Sequence, residues 1–149
     1  MTTPIDPANA PKAIDSKEAY RLVIASPADT FIIDVRTHAE YELVGHPDMP
    51  NGVPNIPLVF YEDWRPNENF VSDVEERFTK DHTLLIICRS GHRAETAAWQ
   101  LLKEGFTKLF FITDSFEGTI DKNGCFTVDG WKNIGLPYTY QLDNGLIYK

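Results

Sequence analysis

Cys88-Arg89-Ser90-Gly91-His92-Arg93 gathers a soft nucleophile, two permanent cations, a histidine and a glycine into one short stretch. The chemistry open to that set is covalent catalysis by a thiolate, since the ionised form of cysteine is the attacking one. The six residues stand between an apolar run that reads as a strand and a segment with helical periodicity. In open α/β sheets, ligands bind at the carboxyl ends of strands, where loops turn into helices. A loop closing into a helix N-terminus aims backbone N–H groups inward, and the helix dipole adds partial positive charge there. Arg89 and Arg93 bracket the loop, and Gly91 permits a tight turn, left-handed if required. Cysteines in such surroundings ionise at about pH 3.5–7.5 rather than near 8.5. A lone cysteine ending a core strand is more often inert packing, but inert packing needs neither the flanking arginines nor the glycine.

The segments around the loop supply the scaffold. Thr30–Val35, Thr83–Cys88 and Lys108–Thr113 are continuous apolar, β-branched and aromatic runs, the mark of strands buried on both faces. From His92 to Glu104, Ala94, Ala97, Ala98, Leu101 and Leu102 recur at helical spacing, and Gly105 follows as a C-terminal stop. Ser16 reads as the cap of a helix over Lys17–Ala25, and Asn69–Thr79 reads as a second amphipathic helix. Alternation of strands and helices predicts an α/β domain with a central, mostly parallel sheet of about five strands, helices on both faces. Residues 1–15, with Pro4, Pro7 and Pro11, read as an irregular arm, and residues 16–149 as one domain. Its last part, about 117–149, is rich in turn signals and reads as a loop-rich extension with a short helical turn near Trp131.

The loop Cys88 to Arg93 resembles the active-site loop of the rhodanese-like sulfurtransferases. Asp34-Val35-Arg36, Glu40-Tyr41, Gly45-His46, Asn55-Ile56-Pro57 and Gly105-Phe106 follow that family's order and approximate spacing, and the resemblance runs from about Ser16 to Gly118. It implies a rhodanese-like fold and a sulfurtransferase in which Cys88 accepts a sulfane sulfur as a persulfide and passes it on. The donor would be thiosulfate or a persulfide, the acceptor cyanide, a thiol or a protein, and no cofactor is implied. Arg89, Ser90, Gly91, His92 and Arg93 would bind the donor and the persulfide.

Two other classes stay open: a non-catalytic binding or regulatory module of the same fold, and a cysteine-dependent phosphatase or arsenate reductase. The phosphatase pattern is Cys-x5-Arg, whereas here Arg93 follows Cys88 after four residues and Ala94 occupies the longer spacing. A smaller loop suits a sulfur atom better than a tetrahedral oxyanion. Thiosulfate-specialised members resemble one another in a basic residue where this chain has Ser90, and can be basic where it has Glu40. Both departures reduce positive charge near the donor and favour a less charged persulfide or a protein partner.

Other residues carry weaker signals. Asp34 and Arg36 read as a structural pair beneath the loop, and Glu40 and Glu42 as solvated charges. Phe60, Tyr61 and Trp64 read as core packing, with a wall of the site as the alternative. Cys125 sits in a turn and could resolve a disulfide or persulfide on Cys88, though an isolated turn cysteine is more often incidental. His38, His46 and His82 lack metal-ligand spacing, so no metal site is expected.

Composition closes off further classes. The 149 residues carry 22 acidic against 14 basic side chains, a net charge of −8, which argues against a nucleic-acid or anionic-membrane partner. Two cysteines exclude a disulfide scaffold, and no signal-peptide pattern or apolar span stands out. A cytoplasmic, thiol-reducing location is the expectation.

Overall fold

The computed structural model describes residues 6–148. After a short 3-10 turn at Pro7–Asn9, the elements in chain order are β1 (Lys12–Ile14), α1 (Ser16–Ala25), β2 (Thr30–Asp34), α2 (His38–Leu43) and β3 (His46–Pro47). There follow a second 3-10 turn at Glu62–Trp64, then α3 (Phe70–Arg77), β4 (Thr83–Ile87), α4 (His92–Lys103), β5 (Leu109–Ile112) and β6 (Tyr138–Thr139).

The main sheet has four parallel strands in the order β1-β5-β4-β2. Beyond β2, Asn55 adds a single parallel bridge to Asp34, a one-residue continuation of the sheet. The apolar runs are continuous because both faces are covered, and strand alternation divides them. Ile33, Leu84, Ile86 and Leu109 pack with α3 and α4 on one face. Ile32, Leu85, Ile87 and Ile112 pack with α1, Phe116 and Trp131 on the other. In α4 the buried stripe is Ala94, Ala97, Ala98, Leu101 and Leu102, and its three alanines let the helix lie close against the sheet.

Two segments depart from the sequence reading. The arm over residues 1–15 is not irregular throughout: Lys12–Ile14 forms the edge strand β1, in parallel register with Phe110–Ile112. Three residues are too few to show a period, and the pairing comes from β5 offering a free edge. Residues 1–5 of that arm lie outside the described residues. The cap of α1 is Asp15, whose carboxylate accepts the Glu18 amide at 2.8 Å. Ser16 is instead the first helical residue, fully buried, its amide and hydroxyl donating to Asp114 Oδ1 at 2.8 and 2.9 Å.

The loop-rich C-terminal stretch, expected to pack on the domain, does so. Trp131 is fully buried, its indole N–H donates to the Pro137 carbonyl at 2.6 Å, and β6 pairs antiparallel with β3. Near Trp131 the Ile134 amide returns to the Gly130 carbonyl at 3.0 Å, forming a single hydrogen-bonded turn.

Candidate active site

Sheet order puts β4 between β5 and β2, so the residue following β4 emerges at the middle of the sheet's carboxyl edge. That residue is Cys88, 1% exposed. The chain then turns through Arg89 and Ser90 to Gly91, which caps α4 at φ +109°. A Cβ built on Gly91 would stand 2.5 Å from the Thr113 carbonyl oxygen, so close approach as well as backbone sign demands glycine. The outcome is a sulfur atom held inside the first turn of the helix. The amides of Gly91 and Ala94 donate to Cys88 Sγ at 3.1 and 3.3 Å. Both are first-turn N–H groups with no partner inside the helix, so the sulfur satisfies donors that would otherwise be orphaned.

The loop after β5 braces this turn from behind. Ser115, at φ +50°, accepts the Cys88 amide on its hydroxyl at 3.1 Å while that hydroxyl donates to the Ile112 carbonyl at 2.6 Å. The same hydroxyl lies 3.7 Å from Cys88 Sγ. The Cys88 and Arg89 carbonyls accept the amides of Phe116 and Glu117, each at 2.9 Å. Beneath the site Asp34 and Arg36 form a fully buried ion pair at 2.6 Å, and Arg36 also donates to the Gly45 carbonyl, fastening the turn after α2. Its guanidinium lies over the Phe116 ring at 4.4 Å.

Each of the two flanking arginines already has a carboxylate partner. Arg93 makes a two-pronged pair with Glu40, Nη1 to Oε1 at 2.7 Å and Nη2 to Oε2 at 2.9 Å. Arg89 Nε meets Glu117 Oε2 at 2.9 Å. Aromatic rings flank both: Trp64 lies 5.5 Å from the Arg93 guanidinium and Phe126 lies 4.1 Å from that of Arg89. Glu40 is therefore no solvated charge; its side chain is 18% exposed and belongs to the capping box of α2 with Thr37. Burial alone would raise its pKa, but the Arg93 pair and the Thr37 hydrogen bonds outweigh burial and hold it below the ordinary 4.5. Burial would lower the Arg93 pKa, and Glu40, with a smaller contribution from Cys88, reverses that.

Ser90 and His92 are exposed at the loop's outer surface. Tyr61 and Trp64 are not core packing: they are 63% and 56% exposed, on a turn in which Asp63 and Trp64 both adopt positive φ. Bulk and aromaticity suggested burial, but the turn leaves both rings exposed, with Trp64 beside Arg93 of α4. Cys125 is an exposed free thiol on the turn before Phe126. Ser115, Glu117 and Phe126 escaped the sequence reading because they lie 27 or more positions from Cys88 in unpatterned sequence. The one available signal was that a residue closing a parallel strand next to β4 must meet the β4 loop.

A hollow of about 580 Å³ lies between residues 46–53 and 139–146. No cysteine lines it, so the nucleophile places the candidate site at Cys88. Among the described residues no cluster of His, Cys, Asp and Glu could hold a metal ion, and no helix is long and apolar enough to cross a membrane.

The family model named Rhodanese-like domain matches residues 15–122, which span β2, β4 and β5 of the sheet, the Cys88 loop and its brace. The chain belongs to the rhodanese-like domain family. An uncharacterized protein of Rickettsia prowazekii, RP600, is 32% identical over 127 residues, covering 85% of this chain and 96% of that protein. Among solved structures, Rv0390 from M. tuberculosis superposes with a TM-score of 0.80 at 28% identity, covering 87% of this chain and 98% of that one. The polysulfide-sulfur transferase homodimer from Wolinella succinogenes shares the fold, with a TM-score of 0.61 at 21% identity over 89% of this chain and 81% of its own. This rhodanese-like domain thus has relatives nearly its own length.

Proposed function

We propose that this rhodanese-like domain is a sulfurtransferase that carries a sulfane sulfur as a persulfide on Cys88, without a cofactor. The observation carrying the proposal is the pair of first-turn amides converging on Cys88 Sγ at 3.1 and 3.3 Å. Fixed N–H dipoles aimed at one atom stabilise negative charge there with no reorganisation during reaction. The same amides stand ready for the outer sulfur once it is attached.

In the first half-reaction the Cys88 thiolate attacks the terminal sulfur of a donor. For a persulfide R–S–S–H, the Cys88 Sγ–S bond forms as the donor's S–S bond breaks; the proton stays on the transferred sulfur and R–S⁻ leaves with the bonding pair. From thiosulfate the leaving group is sulfite. In the second half-reaction the persulfide, its proton lost to solvent, gives its outer sulfur to an acceptor: cyanide becomes thiocyanate, a thiol becomes a persulfide, and Cys88 returns as thiolate. A cysteine only 1% exposed suits the slim, end-on approach of a terminal sulfur better than that of a phosphoryl group. The arginines 89 and 93, with Ser90, Gly91 and His92, frame that approach.

The test is turnover of thiosulfate or an alkyl persulfide with cyanide, read as thiocyanate, for wild type and Cys88→Ser. The proposal expects turnover that falls to the uncatalysed level in the variant. Equal thiocyanate formation by folded wild type and Cys88→Ser would overturn it.

A further inference from the structure

The two cations beside Cys88 both have carboxylate partners, Arg93 in a largely buried pair and Arg89, its side chain 46% exposed, in a pair at the surface. Arg93 is held by both oxygens of Glu40, with each side chain 18% exposed, and Arg89 is held by Glu117. Each pair is flanked by an aromatic ring, Trp64 on one side and Phe126 on the other. The mouth of the site is thus two neutral pairs and two apolar faces, on a chain of net charge −8. The donors aimed at Cys88 Sγ itself are the Gly91 and Ala94 amides, which suit one sulfur and do not compensate a second charge on the donor.

We infer that the site takes its sulfur from organic persulfides, whose reacting group carries at most one negative charge, in preference to the inorganic dianion thiosulfate. Glu40 and Glu117 are the specificity-determining residues: each removes a cation that a dianion would need. The rings of Trp64 and Phe126 offer the donor's carbon portion an apolar seat. This rests on the sulfurtransferase reading above. The balance is the same for either donor, one S–S bond made and one broken. They differ in charge brought to the mouth, and a dianion meets stronger repulsion from the acidic surface and the thiolate.

The experiment is a quenched time course of sulfur loading on Cys88, by intact mass, with sodium thiosulfate and separately with 2-hydroxyethyl persulfide, whose body is uncharged. Wild type is compared with Glu40→Gln, Glu117→Gln and the double variant. Glutamine at position 40 preserves the capping box of α2. The ratio of thiosulfate to alkyl-persulfide loading rates should rise about tenfold in the double variant, equivalent to about 1.4 kcal/mol of relative barrier. In wild type, added sodium chloride should raise the same ratio by screening the dianion. A ratio constant within about twofold across the variants would overturn the inference while leaving the persulfide mechanism standing. A wild-type ratio insensitive to salt would also overturn it, with no variant needed. Failure of both donors to load wild-type Cys88 would overturn the sulfurtransferase reading itself, and the inference with it.

Discussion

At the scale of single residues, the candidate site depends on one glycine as much as on one cysteine. Gly91 holds φ +109° with no room for a Cβ against Thr113, and its amide is the nearer of the two donors to Cys88 Sγ. Gly91→Ala therefore has to twist the backbone or push β5's end away. The expected cost is about 3 kcal/mol of stability from the left-handed conformation plus the clash, checked by urea denaturation. The sulfur-loading rate should drop at least about tenfold as that amide turns off the sulfur. Cys88 and Gly91 were legible in the sequence because their chemistry and backbone requirements are properties of residue type. The pairing of Arg89 with Glu117 and of Arg93 with Glu40 was not, since it depends on which distant acids the fold brings alongside. Glu40 was legible as a charge near the loop but not as a partner of Arg93.

At the scale of elements, the Glu40–Arg93 pair ties the first turn of α2 to the first turn of α4. Glu40's pKa is lowered on folding, so the unfolded chain binds that proton more readily. The sign follows: the pair's stabilisation is fully present above the ordinary 4.5 and is lost as pH falls through the lowered folded value. Glu40→Gln should flatten that part of the acid limb of a stability-against-pH curve, and an unchanged slope would remove the pair from the account of acid sensitivity. The apolar runs revealed β2, β4 and β5, and the alanine-leucine stripe revealed α4, since burial on both faces or along one stripe writes itself into local pattern. The strand β1 left no such trace: Lys12-Ala13-Ile14 pairs because β5 has an open edge, a fact of the sheet and not of the segment.

At the scale of the molecule, the C-terminal extension holds the loops at the sheet's carboxyl edge in place. Asp114 receives the Ser16 amide and hydroxyl on one oxygen and the Gly130 amide on the other at 3.0 Å, so α1, the end of β5 and the extension meet at one carboxylate. Beside it Trp131 fills the core under α1, with Tyr20 edge-on at 6.0 Å. Trp131→Ala should cost about 3–5 kcal/mol and lower the thermal midpoint by about 10 °C, read by calorimetry. A shift of only a degree or two would mean that the extension packs loosely. Turn residues in the sequence showed where this extension bends, and its large aromatic residues that it packs; the particular partners were hidden because they are a few long-range contacts with no period. In the proposed donor preference, the acidic surface and the paired arginines act together, presenting dianions with an unfavourable approach and leaving the amide nest to hold a single sulfur.

The central claim is that Cys88 carries sulfur, and intact mass tests it most directly. Wild type and Cys88→Ser are incubated with thiosulfate and with an alkyl persulfide, desalted and weighed, then treated with cyanide. The account predicts a gain of one sulfur atom in wild type, released by cyanide and absent from the variant. A folded wild type that gains no sulfur from either donor, or a Cys88→Ser protein that gains the same cyanide-labile atom, would contradict it.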